Sequence, residues 1–293
     1  MLQSLANFVS DLFALLGRQL MIGFGLPIAL GVTLFFLQRY LQQTMARLVG
    51  WKAVVYYTGW IGTPIHEASH YIVGRLFGIK IDEVKFFEPD LESGVLGYVR
   101  YRVPRFELKN TLRIIGTCFM GLAPLLGGGL VLAGGLLLVA PREPLFQAAE
   151  RFAHLSMGSG PGDVVSGFVG LISAVWAGIF HYGYLDPRPW LFIYLALGVG
   201  AHLAPSKKDL EGSWPGALVF LVLLLAFDAI GLLVAHIAQV EVPVAEVAHA
   251  INTVTGPLAA LLVLALAINI GNLVLVNLVA RGIRRIRGPR PSA

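Results

Sequence analysis

Gly62-Thr-Pro-Ile-His-Glu-Ala-Ser-His-Tyr71 lies in a largely apolar run, about residues 53–77, yet carries two histidines and a glutamate. Residues four apart share a helix face, so His66 and His70 can both reach one metal ion. Glu67 of the His66-Glu67-x-x-His70 pattern projects beside them, where it could take a proton from water. Two unrelated helix histidines would instead leave ionisable groups in hydrocarbon without partners, which is costly. The pattern points to a hydrolytic metal centre on a helix at membrane depth.

The composition agrees with a membrane setting. Of the 293 residues, 56% are hydrophobic and 13% charged, against about 25% charged in a soluble domain. The class implied is an all-α polytopic membrane protein. The formal net charge is +5, but the basic residues gather at the ends of apolar runs. That is the position of cytoplasmic boundary residues rather than of a phosphate-binding face, so no nucleic-acid partner is expected. Cys118 is the single cysteine, which excludes an intrachain disulfide and a CxxC metal knuckle. No basic region precedes the first apolar part, so no cleavable signal peptide is expected. No polar stretch is long enough for a soluble accessory domain.

Residues 1–52 read as an interfacial amphipathic helix (3–18) and a first span (21–40), then a polar linker made basic by Arg39, Arg47 and Lys52. Residues 53–239 form the core. Gly62 and Pro64 are expected to loosen the second span just before the histidines and to admit water. The period then changes: residues 79–87 and 95–103 alternate as strands around the turn formers Glu88-Pro-Asp-Leu-Glu-Ser-Gly94. A β-hairpin over 79–103, lying at the membrane surface, would place Val95, Gly97, Val99, Tyr101 and Val103 on one face. Tyr98, Arg100 and Arg102 would take the other.

Further spans are expected at 110–140, which is rich in glycine, at 190–203 and at 215–239. Residues 141–162 read as a loop and 163–184 as a re-entrant or interfacial segment. Asp228 and His236 are expected to pair inside the membrane. The final region, 240–293, begins with a loop bearing Glu241 and Glu246. It continues as a span at about 255–280, with Asn269 and Asn272 as interhelical hydrogen-bonding groups, and ends in the basic residues Arg281, Arg284, Arg285, Arg287 and Arg290. About six crossings result. With the metal ligands at one depth, this count turns the basic linker outward, against the usual placement of positive charge.

A catalytic zinc takes three protein ligands and keeps an open fourth position. The third ligand is sought among Asp209, Glu211, His202, Asp228, Glu143 and Glu150. Asp209 has the best context, following a Pro205-Ser206 break after a short apolar helix and preceding Gly212. His202 could orient Asp209, support an oxyanion, or satisfy a helix end.

Together, His66-Glu67-x-x-His70, the hairpin with Gly97-Tyr98-Val99, and His202-Leu-Ala-Pro-Ser-x-x-Asp209 resemble the site-2 protease group of intramembrane zinc metalloproteases. The resemblance covers roughly residues 50–235 and is to a short member without a PDZ domain. It implies one Zn2+ per chain held by His66, His70 and Asp209, with Glu67 as general base. It also implies a membrane-protein helix as substrate, unwound and added as a strand near Tyr98, Val99 and Arg100. The expected setting is the inner membrane of a bacterium or archaeon, with the active site towards the cytoplasm. The chain departs from the family at its usual Asn-x-x-Pro…Leu-Asp-Gly stretch, which here is His202-x-x-Pro205…Lys208-Asp209-Leu210-Glu211-Gly212. Two other possibilities stay open at the level of sequence. One is a CAAX-protease or HtpX-like zincin with a glutamate ligand; the other is a non-catalytic metal-binding membrane protein, for which Glu67 would be dispensable.

Overall fold

The computed structural model describes residues 2–155, 160–240 and 244–287; Gly158, Ser159, Glu241 and Arg290 of the expected loops and tail lie outside them. Helix α1 (Leu2–Leu20) passes through a π-helical turn, Met21–Gly25, into α2 (Leu26–Val49). After Gly50 come α3 (Trp51–Val54), a second π-helical turn, Val55–Gly59, and α4 (Trp60–Leu76). Strands β1 (Ile81–Lys85) and β2 (Tyr98–Tyr101) follow, then α5 (Thr111–Val139), α6 (Arg142–Leu155), α7 (Pro161–Ile179), α8 (Pro187–Gly200), α9 (Lys207–Ala238) and α10 (Val244–Arg287).

Among the described residues, five stretches are long and apolar enough to cross a membrane: Ala6–Val49, Leu108–Val139, Gly162–Ile179, Lys207–Ala238 and Thr255–Ile283. They point to an integral membrane protein. The elements differ from the sequence expectations in several places. Residues 3–18 do not form a separate surface helix, because the π-helical turn keeps the chain helical into α2. The stretch read as a loop at 141–162 contains α6, and the segment at 163–184 contains α7. Helix α8 has 14 residues, which gives about 21 Å against an apolar core of about 30 Å. Its entry is held by Asp186, whose carboxylate accepts from the Arg188 amide at 2.8 Å; hydrogen bonds from Arg188 keep that carboxyl down at about 2.

Helix α5 lies at the centre, packed against α4, α8, α9 and α10. Leu132, Leu136, Val175, Ile179, Leu262 and Val263 are fully enclosed there. Between helices in lipid, such packing draws on dispersion and hydrogen bonds rather than on water exclusion, so close backbone approach matters. A Cβ on Gly121 of α5 would lie 2.6 Å from the Asp209 carbonyl oxygen, so the first turn of α9 rests on this glycine. A Cβ on Gly62 would lie 2.2 Å from the Gly198 carbonyl oxygen of α8. Gly62 therefore brings α4 onto α8 rather than loosening it; α4 continues through Pro64, and the irregular turn lies earlier, at Val55–Gly59.

The buried polar groups correct two expectations, the pairing of Asp228 with His236 and the interhelical bond of Asn269. Gln19 Nε2 donates to Asp228 Oδ1 at 2.8 Å, whereas His236 is exposed. Eight helical residues separate Asp228 from His236 by about 12 Å of rise, too far for a side-chain pair. Asn272 Nδ2 donates across helices to the Ala196 carbonyl at 3.0 Å, and Asn269 Nδ2 donates within α10 to Ala265 at 3.0 Å.

The hairpin forms where expected, though its paired strands are shorter. Register runs Ile81↔Tyr101, Glu83↔Arg100, Val84↔Val99 and Lys85↔Tyr98, with an irregularity between Ile81 and Glu83. Its arms continue past the strands, the Glu88 amide donating to the Leu96 carbonyl at 2.8 Å. On the polar face, Tyr98 Oη donates to Glu83 at 2.8 Å, and Arg100 and Arg102 pair with Glu83 and Asp82 at 2.9 Å each.

Candidate metal centre

His66 and His70 lie one turn apart on α4, facing the start of α9. His66 Nδ1 donates to the His202 carbonyl at 2.7 Å, and His70 Nδ1 to the Met120 carbonyl at 2.7 Å. A carbonyl only accepts, so each Nδ1 carries a proton, and each ring turns its Nε2, the nitrogen left to ligate a metal, towards the other. The two Nε2 atoms are 3.2 Å apart. Asp209 completes the group, its Oδ1 lying 3.2 Å from His70 Nε2 and its Oδ2 3.4 Å from His66 Nε2. Two imidazole nitrogens and a carboxylate thus converge on one point, the donor set of a metal site. His66, His70 and Asp209 could hold a metal ion.

Asp209 is not in a loop, as expected, but in the first turn of α9. Ser206 is the N-cap: its Oγ accepts from the Asp209 amide at 3.2 Å, while Asp209 Oδ2 accepts from the Ser206 amide at 2.6 Å. This reciprocal capping box orients the carboxylate before any metal arrives. Glu143 and Glu150 sit on α6, outside the group, and Glu211 lies 3.6 Å from Lys207 Nζ.

Family models, curated proteins and solved structures offer no match to this chain.

A cavity of ≈ 620 Å³ opens beside the metal group. Its walls include Glu67, the hairpin segment through Gly97, Tyr98 and Val99, and residues of α2 and α9. Glu67 is buried on α4 next to both histidines. A Cβ on Gly97 would meet the Lys85 and Phe86 carbonyl oxygens at 2.7 and 2.9 Å and Glu67 Cγ at 3.0 Å. Only a glycine lets the hairpin lie so close over that carboxylate. Of the hairpin residues expected to meet a partner strand, Tyr98 and Val99 line the cavity; Arg100 does not, being turned to Glu83. The ring of His202 also lines the cavity, its Nε2 3.4 Å from Thr58 Oγ1 rather than bonded to Asp209.

Arg39 and Trp51 wall the same cavity as Asp209. The basic linker thus lies at the metal's end of the molecule, not at the opposite one. The sequence-based topology separated them by counting 53–77 as a complete crossing. Sequence reasoning also missed Gln38 and Gln42 of α2, which line the cavity and bond to the turn before α9. Nothing local in the sequence marks such a contact; only the oddity of two glutamines one turn apart beside an apolar run could have drawn notice.

Proposed function

We propose that this chain is a zinc-dependent intramembrane endopeptidase that hydrolyses a peptide bond in or near a membrane-spanning segment of another protein. The observation that carries this is the convergence of His66 Nε2, His70 Nε2 and the Asp209 carboxylate, close enough together to hold one ion. Tetrahedral zinc with N and O ligands at about 2.0–2.1 Å has ligand–ligand edges of about 3.3 Å. The two Nε2 atoms here are 3.2 Å apart, and the Asp209 carboxylate meets them through different oxygens, Oδ1 at 3.2 Å from His70 Nε2 and Oδ2 at 3.4 Å from His66 Nε2. Three protein ligands leave one position open, as in catalytic rather than structural zinc sites.

Bound zinc would supply Lewis acidity towards water and a peptide carbonyl. Glu67, buried beside the ligands and not needed to hold the ion, accepts the proton of the attacking water and returns it to the departing amine. The hairpin supports the substrate class. Strand β2 pairs with β1 along one edge, and Tyr98 and Val99 border the cavity, so an unwound peptide can be taken up by strand addition. Arg39, Lys207 and Lys208 around the cavity favour placing this end of the molecule at the cytoplasmic face.

The test is cleavage of a panel of single-span reporter proteins co-reconstituted with the full chain in lipid. Wild type is expected to cleave at least one reporter, and Glu67→Gln to cleave none while binding the same amount of zinc. Undiminished cleavage by Glu67→Gln, or a wild type that binds zinc and cleaves nothing, overturns the proposal.

A further inference from the structure

Between α8 and α9, residues 201–206 leave regular structure. This short turn supports the metal group twice: the His202 carbonyl fixes the His66 ring, and the Ser206 amide fixes Asp209 Oδ2. The turn is itself buried, with Ala201 at 0% and Ala204 at 6% exposure. Buried backbone groups outside a helix must find partners within the protein.

Two of them find partners on α2. Gln42 Nε2 donates to the Ala201 carbonyl, and Gln38 Oε1 accepts from the Ala204 amide. Four residues apart, the glutamines share one face of α2, and both line the cavity. One takes a carbonyl and the other an amide, on either side of His202. A helix that reads as a plain first span therefore reaches across to the turn that sets two of the three ligands.

We infer that Gln38 and Gln42 are positioning residues of the metal centre. They touch none of the ligating atoms and act through the backbone of residues 201–206. The inference rests on the metal centre proposed above. When the clamp is intact, the His202 carbonyl and the Ser206 N-cap are held where His66 Nε2 and the Asp209 carboxylate converge. When it is lost, the turn keeps its sequence but not its place, and the ion loses a prearranged site. Because α2 also walls the cavity, with Phe35 and Arg39 beside the glutamines, whatever displaces this helix acts on the metal ligands too.

The test uses the full chain in lipid nanodiscs and reads Co2+ affinity from the absorption of the bound ion, independently of any substrate. Gln38→Met and Gln42→Met remove the hydrogen bonds at similar volume, and each is expected to weaken Co2+ binding about 10- to 100-fold, the usual effect of losing a group that orients a metal ligand. Gln38→Glu keeps the acceptor that the Ala204 amide needs, and its affinity is expected to stay within about 3-fold of wild type. Rescue by that variant, alongside failure of Gln38→Met, separates positioning from a loss of general packing. If Gln38→Met does not fold, Gln38→Asn withdraws the acceptor by one methylene and serves in its place. Wild-type affinity in both methionine variants, or equal loss in Gln38→Glu and Gln38→Met, overturns the inference and leaves the protease proposal standing. A wild type that binds no Co2+ overturns both.

Discussion

His70 and Met120 are joined across 50 residues of chain, the imidazole Nδ1 donating to the Met120 carbonyl at 2.7 Å. That carbonyl is free because of Pro124. In an α-helix the oxygen of residue 120 would accept from the amide of residue 124, and proline has no N–H to give. The proline inside α5 thus releases one backbone acceptor at the depth where the histidine needs it. The bond then decides which nitrogen of His70 faces Asp209.

Pro124→Ala is expected to restore the helical bond and make the Met120 carbonyl serve two donors. A carbonyl has two lone pairs, so the His70 bond should loosen rather than vanish. A fall in metal affinity of about 3- to 10-fold is expected, below the full loss of an orienting partner. Co2+ titration measures it; unchanged affinity would show that the freed carbonyl is incidental.

Asp209 has two roles that substitution can separate. Asp209→Asn keeps an oxygen for the Ser206 amide but loses the charge that a cation needs. Apo stability is expected to stay close to wild type, with metal affinity reduced by about 100-fold or more. Asp209→Ala should lose the cap as well, costing a further ~1 kcal/mol of apo stability. Thermal unfolding with and without metal, beside Co2+ titration, distinguishes the two.

The metal group was legible in the sequence to different degrees. His66, Glu67 and His70 were plain, because helix periodicity brings positions four apart together wherever the helix goes. Asp209 was reached only by context, although Ser206-x-x-Asp209 before an apolar run is itself a capping-box signature and would have placed it in a helix. The hairpin was legible from its period of two. The position of α2 was not: the bonds from Gln38 and Gln42 to residues 204 and 201 join parts of the chain more than 150 residues apart. The number of crossings was not legible for a related reason. Span counting assumes that each apolar run crosses once, whereas a π-helical turn carries α1 into α2 and α8 has 14 residues.

Removing the ion should destabilise the fold by mass action. For a metal present at 100 times its dissociation constant, the expected stabilisation is about 2.7 kcal/mol. Chelation should therefore lower the unfolding temperature of wild type, and equally that of Glu67→Gln, since Glu67 holds no metal. No shift on chelation in wild type would contradict a resident ion at His66, His70 and Asp209.

Gly97 links the hairpin to Glu67. Any side chain there meets the backbone oxygens of Lys85 and Phe86, at 2.7 and 2.9 Å, before it meets Glu67 Cγ at 3.0 Å. Backbone oxygens cannot step aside as a flexible side chain can, so the segment through Gly97 must lift or Glu67 must turn. Neither movement touches His66, His70 or Asp209. Gly97→Ala is expected to lower kcat by about 10-fold or more, the scale on which small misplacements act, with Co2+ affinity within about 2-fold of wild type. Leu91→Ala, at the exposed tip of the same hairpin, should leave both unchanged. A Gly97→Ala enzyme with full kcat would show that the hairpin does not govern the place of Glu67; one with weakened metal binding would show that its effect spreads to the ligands.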